Sequence, residues 1–243
     1  MGSKNRIAKY LLPIILKDRK EDQWYVEPFV GGANMIDKAG GNRIGADINH
    51  YLIELFKGLQ NSRDLIFDIP KTLYDKARVE YNNKTTIEFD LFTIAWIGYM
   101  ASANGRFFEG GYSGISKTKI GTSRNYIKES ISNIQEQISR IMDINFVCCS
   151  YENLDIPQNS IIYCDIPYKN TKQYSFSKDF DYEKFWEWAR EKSQNGHQVF
   201  ISEYNSPDDF ECIWQQEVKS SLSANGIAGG NKVSVEKLFV YKG

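Results

Sequence analysis

Tyr163-Cys164-Asp165-Ile166-Pro167-Tyr168 sets a carboxylate, a backbone carbonyl, a proline and an aromatic ring in succession. That order suits substitution at an exocyclic amine. Such a nitrogen is a poor nucleophile, because its lone pair is delocalised into the ring. Two acceptors aimed at its two N–H bonds favour a pyramidal nitrogen and stabilise the positive charge that grows on it. Asp165 supplies one acceptor and the Ile166 carbonyl the other, while Pro167 fixes the backbone so that this carbonyl points outward. The Tyr168 ring offers a face to a base swung out of its stack, a contact worth roughly 1–3 kcal/mol. The same residues also describe an ordinary strand-end turn in which Asp165 caps a helix.

A second cluster is Glu27-Pro28-Phe29-Val30-Gly31-Gly32-Ala33-Asn34, at a strand-to-helix turn. Gly31 and Gly32 let the backbone turn sharply and approach a ligand closely. Asp47 ends the next strand, where nucleoside-binding α/β folds grip ribose hydroxyls. Asp47 serves equally well as a cap for the helix that follows.

Short apolar runs must hold these residues. Gln23–Phe29, Asn42–Ile48, Ser160–Asp165, His197–Ser202 and Lys237–Tyr241 read as strands. Asn49 can cap a helix with Leu52, Ile53, Leu55, Phe56 and Leu59 on one stripe. Asp181 can cap another with Phe185, Trp186, Trp188 and Ala189 inside, stopped at Asn195-Gly196. Strands alternating with helices predict a mostly parallel, doubly wound sheet that binds ligands beyond its strand carboxyl ends. Residues 60–145 break the alternation. Helical patterns over Asp64–Tyr81 and Glu88–Met100 lead to a glycine-rich loop. A helix striped by Ile127, Ile131, Ile134, Ile138 and Ile141 follows.

The 243 residues carry 30 basic and 31 acidic side chains, a net charge of −1 that excludes a uniformly basic polyanion binder but permits a basic cleft. No apolar run is long enough to span a membrane, and no leader peptide is expected. Cys148, Cys149, Cys164 and Cys212 lack a zinc-site spacing, so no metal is expected and they read as small buried hydrophobes. A cytosine-ring enzyme would need a nucleophilic cysteine after a proline, whereas Cys164 precedes the aspartate.

Taken together, the two clusters resemble the Dam-like adenine-specific DNA methyltransferases of the D-P-P-Y class, nearly end to end. Gly2-Ser3-Lys4 resembles the family's N-terminal Gly-Gly-Lys segment, which lies over the S-adenosylmethionine pocket. Glu27 to Gly32 resembles its cofactor turn, Ala46-Asp47-Ile48-Asn49 its A-D-I-N element, and Asp165-Ile166-Pro167-Tyr168 its catalytic tetrapeptide. Isoleucine replaces the first proline of that tetrapeptide. Ser150-Tyr151 stands where many relatives place an acid before an aromatic, against the cofactor adenine.

The resemblance implies a class I, Rossmann-like α/β fold. Residues 1–59 and 146–243 would form the S-adenosylmethionine-binding catalytic domain, and 60–145 a mostly helical recognition insertion. It implies cofactor contacts from Lys4, Glu27, Phe29, Gly31, Gly32, Asp47, Ile48, Ser150, Tyr151 and Asp165. It also implies a double-stranded DNA substrate and a cytoplasmic enzyme of bacteria or phage. DNA contacts are expected from Arg106, Lys117, Lys119, Arg124 and Lys128, with Phe107, Phe108, Tyr112 and Tyr126 interleaved. Lys169, Asn170, Thr171, Lys172 and Tyr174 would close over the extruded nucleotide, with Asn205 and Ser206 at the rim. The same chemistry would serve cytosine N4, RNA adenine or a glutamine side chain, and a non-catalytic binding homologue would keep the same fold.

Overall fold

The structure is a computed structural model that describes residues 4–117, 121–169, 179–219 and 233–243. Its elements run α1 (Ala8–Ile15), β1 (Tyr25–Glu27), β2 (Arg43–Asp47), α2 (His50–Gln60), α3 (Lys71–Asn83) and α4 (Leu91–Ala101). A hairpin of β3 (Ile115–Lys117) and β4 (Ser123–Asn125) leads into α5 (Tyr126–Ile141). The chain continues through β5 (Asn145–Cys148), β6 (Ile161–Asp165), α6 (Tyr182–Gln194), β7 (Gln198–Glu203), β8 (Phe210–Lys219) and β9 (Val233–Tyr241).

Seven strands form one sheet in the order β5-β2-β1-β6-β7-β9-β8. Neighbours from β5 to β7 pair in parallel, and β9 runs antiparallel to both β7 and β8. The order reverses between β1 and β6, where a doubly wound sheet opens a crevice beyond its strand ends. Register decides what faces that crevice. Tyr25 pairs with both Arg43 and Ile161, so Asp47 and Asp165 each extend two residues past Glu27.

The sheet is buried on both faces. Tyr25, Ile161, Tyr163 and Leu238 share one core with α1, α2, α4 and α5. Val26, Ile162, Cys164, Val199 and Ile201 pack against Phe185, Trp186, Trp188 and Ala189 of α6. The residues between 60 and 145 build no core of their own. Ile94, Trp96 and Ile97 of α4 and Ile127, Ile131 and Ile141 of α5 join the first core directly.

The expected caps are present. Asn49 accepts the Tyr51 N–H at 3.1 Å, and Asp181 accepts that of Lys184 at 3.1 Å. Each such cap contributes about 1 kcal/mol. Two helices start later than their patterns predicted. α3 begins only after Pro70, because a proline pushes the residue before it out of the helical region. Glu88 is outside α4 because the Glu80 carboxylate takes the Glu88 N–H at 2.6 Å and that of Phe89 at 3.3 Å, leaving Asp90 as the cap. Strands β5 and β8 and the hairpin were not anticipated. The cysteine reading also needs correction, since only Cys164 is buried, Cys149 is partly covered, and Cys148 and Cys212 are exposed.

Candidate active site

The turn after β1 is held from three sides. The Val30 N–H donates to the Ala46 carbonyl at 2.8 Å. The Gly31 N–H donates to Asp47 Oδ2 at 3.2 Å. Gln137 of α5 donates from Nε2 to the Gly32 and Ala33 carbonyls at 3.1 and 3.2 Å. Gly31 has φ +45°, and among the described residues a Cβ there would meet no atom within 4 Å, so its glycine serves backbone conformation. Asp47 Oδ1 accepts the Asn49 N–H at 2.9 Å. The cap of α2 is therefore Asn49, and Asp47 braces the turn instead. Each carboxylate oxygen can accept a second hydrogen bond. Burial raises the Asp47 pKa, against the pull of the Asn49 and Gly31 N–H groups.

Glu27 is 3% exposed, and among the described residues its Oε1 has no hydrogen-bond partner. The Tyr25 hydroxyl lies beside it, but neither buried atom closes a bond of ordinary geometry. Burial pushes the Glu27 carboxyl well above the usual range, and nearby Asp165 adds to this. The Phe29 ring packs 5.3 Å from Tyr151 and 5.7 Å from Phe185. Ile48 projects beside Asp47 at 57% exposure, and Ser150 is partly covered.

Asp165 ends β6 with its side chain 25% exposed. Among the described residues no helix begins behind it, and the next cap is Asp181. Lys4 reaches Asp165 Oδ1 at 2.9 Å, the Tyr168 hydroxyl at 2.6 Å and Glu236 Oε2 at 3.2 Å. The Tyr168 hydroxyl in turn donates to Glu236 Oε2 at 2.7 Å. Burial works against the Lys4 charge, but Asp165 and Glu236 outweigh it and raise its pKa. Burial raises the Asp165 pKa, with Lys4 pulling it back. The Tyr182 hydroxyl donates to the Pro167 carbonyl at 2.9 Å, and Glu203 accepts the Lys169 and Tyr204 N–H groups at 2.9 and 2.6 Å. A cavity of about 320 Å³ opens beside the turn, lined by Lys169, Tyr182, Trp186, Asn205 and Ser206.

Sequence reasoning missed Glu203, Glu236, Tyr182 and Gln137. An acid just before the apolar run of β9 was the available signal for Glu236. Gly2, Ser3, Lys119, Asn170, Thr171, Lys172 and Tyr174 lie outside the described residues. Lys117 ends β3, and Arg106 is partly covered. Arg124, on β4, forms a two-point pair with Glu129 at 2.6 Å on each nitrogen, and its guanidinium lies over the Tyr126 ring. Phe107 and Phe108 do not face a ligand. They are 9% and 2% exposed and stack with Tyr51, Tyr74, Tyr81 and Tyr99. Gly98 leaves the slot they fill, so contact with bases is corrected to core packing. Tyr112 is tied to the Ile69 carbonyl at 2.7 Å.

A switch-point crevice between β1 and β6, flanked by Asp47, Glu27 and Asp165, on a sheet that closes with an antiparallel pair, defines a class I methyltransferase fold. Residues 1–210 match the D12 class N6 adenine-specific DNA methyltransferases, and the chain belongs to that family. The reaction which that description names, methylation of adenine N6 in DNA, needs a methyl donor. Among curated proteins the chain has no match. A solved structure that it resembles is SMU.472, assigned as a methyltransferase and complexed with SAH. Identity is 12% and the TM-score 0.38, with 100% of this chain and 53% of the other covered. The chain thus spans about half the length of that protein.

The residues present fit the donor. S-adenosylmethionine carries a sulfonium and an ammonium, and the crevice offers a buried Glu27 oxygen, unpaired among the described residues, beside Asp165. Its ribose diol matches the acceptor capacity left on Asp47, and among the described residues no atom over Gly31 blocks a ligand from the backbone. Among the described residues no group of His, Cys, Asp and Glu could hold a metal, and no helix is long and apolar enough to cross a membrane.

Proposed function

We propose that this chain methylates the N6 amine of an adenine extruded from double-stranded DNA, by direct transfer. The observation that carries the reading is the common edge of β2, β1 and β6, which brings Asp47, Glu27 and Asp165 to one crevice with Tyr168 beside it. Bound S-adenosylmethionine supplies an electrophilic methyl group. The protein supplies the rest. Asp47 and the Gly31-Gly32 turn grip the nucleoside end, with Phe29, Ile48 and Ser150-Tyr151 at its adenine. Asp165 and the Ile166 carbonyl accept the two N–H bonds of the target amine, and Tyr168 stacks on the base. A negative crevice stabilises the cationic nitrogen formed as the methyl arrives, and Asp165 is placed to take the departing proton.

Residues 60–145 are the target-recognition part of this reading, with Arg106, Lys117, Lys119 and Arg124 on phosphates and bases, and Lys169 and Asn170 over the flipped nucleotide. In support, the hairpin stands out from the core with Ile115 at 68% exposure. The test is transfer of labelled methyl to duplexes containing only adenine or only cytosine as amine target, and to RNA, followed by mapping of the modified bases. Label on adenine in duplex DNA supports the reading. Label confined to cytosine or RNA, or cofactor binding without transfer, overturns it.

A further inference from the structure

Glu236 lies 68 residues from Tyr168 and 232 from Lys4, yet one of its oxygens meets both. The chain brings it there through β9. Glu203 at the end of β7 pairs with Lys237, which sets Glu236 one residue beyond that pair, above the carboxyl edge of the sheet. The contacts close one ring of Lys4, Tyr168 and Glu236, with Asp165 on a branch from Lys4. Lys4 forms an ion pair with Asp165 and donates to Tyr168 and Glu236, and the Tyr168 hydroxyl accepts from Lys4 while donating to Glu236. The ammonium thus faces three oxygens. The side chains of Lys4 and Glu236 are 10% and 15% exposed, so the contacts are sheltered from water.

We infer that Glu236 is a positioning residue for methyl transfer, holding Lys4 on one oxygen of Asp165 and the Tyr168 ring upright, so that the other Asp165 oxygen is kept for the target amine. This rests on the methyltransferase reading above. The geometry supports it twice. Among the described residues Asp165 Oδ2 has no hydrogen-bond partner, while Oδ1 is committed to Lys4. The Tyr168 ring is fixed at both ends, with its hydroxyl between Lys4 and Glu236 and its body edge-on to Tyr204 at 4.6 Å. Without Glu236, Lys4 would belong to Asp165 alone, which weakens the carboxylate as an acceptor, and Tyr168 would lose the acceptor for its hydroxyl.

The groups that face Asp165 come from every neighbouring element: Lys4 from the N-terminal turn, Glu27 from β1, Tyr163 from β6, Tyr168 from the turn, Glu203 from β7 and Glu236 from β9. Glu236 repels the Asp165 charge and Lys4 attracts it. The test compares wild type with Glu236→Gln, which keeps the shape, and Glu236→Ala, by single-turnover pH profiles and carboxyl NMR of Asp165. In Glu236→Gln the Asp165 titration should move to lower pH, and kcat should fall roughly tenfold or more while the cofactor KM holds. Glu236→Asp should recover part of kcat. An unmoved titration with kcat within twofold (about 0.4 kcal/mol) in both variants overturns the inference. If the wild type methylates no substrate, the functional reading fails, and the NMR titration, read on folded variants of matched Tm, still decides the role of Glu236.

Discussion

The Tyr182 hydroxyl donates to the Pro167 carbonyl at 2.9 Å, tying the first residue of α6 to the turn that would meet the target base. The carbonyl it holds is the one after Ile166, so the phenol fixes the peptide that follows the proposed acceptor oxygen. Isoleucine in place of proline frees a backbone dihedral there, and Tyr182 restores part of that constraint from outside. Tyr182→Phe should lower kcat roughly 2- to 12-fold, the worth of one neutral hydrogen bond. Cofactor Kd should not change. Single-turnover rates with saturating DNA and a calorimetric titration of cofactor separate the two.

Asp165→Asn should reduce methyl transfer by about 10²–10³ or more while leaving the protein folded, because one acceptor becomes a donor facing the amine. In the proposed reaction the ionised carboxylate is the working form, and burial raises its pKa. The acid limb of kcat should therefore lie above the ordinary aspartate value of about 3.9. A limb at or below that value contradicts the assignment.

Asp47→Ala should weaken cofactor binding roughly 10- to 150-fold, as expected for one charged hydrogen bond. It should also lower Tm without cofactor, because the Gly31 and Asn49 N–H groups lose their acceptor. Asp47→Asn should recover more of the Tm than of the affinity. Equal recovery of both would make Asp47 a brace and no more.

Stability should fall with rising pH. Burial raises the folded pKa of Glu27, Asp47, Asp165 and Glu203 above their unfolded values. At these four carboxyls the fold therefore binds protons more tightly than the unfolded chain. The stability gained is fully present below the unfolded values, near 4, and is lost as pH rises through the raised folded ones. The cofactor-free Tm should decline as pH rises from about 4 through the raised folded values, and less steeply in Glu27→Gln. Parallel curves for the two proteins would count against the Glu27 assignment.

Each of Arg106→Ala and Arg124→Ala should make the salt dependence of DNA affinity shallower, by about 0.9 for every phosphate the variant no longer neutralises. Arg124 is engaged by Glu129 in the free protein, so Glu129→Gln should tighten binding. Filter binding across a salt series reads both, and unchanged slopes would exclude these arginines from phosphate contact.

Local signals were legible. Asn49 and Asp181 announce their helices because a cap bonds within three residues, and the isoleucine stripe of α5 follows helical spacing alone. The strand ends carrying Glu27, Asp47 and Asp165 were legible for the same reason. Glu203, Glu236 and Gln137 were not, since each reaches the crevice only through long-range pairing or packing. Phe107 and Phe108 misled because composition shows aromatics among cations, whereas their fate depends on a gap at Gly98 in a different helix.

The core that joins α4 and α5 to the sheet has a practical consequence for redesign. Residues 60–145 cannot be exchanged as a cassette, because cutting at those boundaries severs Ile94, Trp96, Ile127 and Ile141 from Tyr25 and Tyr163. It would also remove Gln137, which holds the turn at Gly32. Grafts meant to change sequence preference should be confined to the hairpin, whose strands end where α5 begins to pack. A change confined to the hairpin leaves untouched the core that joins α4 and α5 to the sheet.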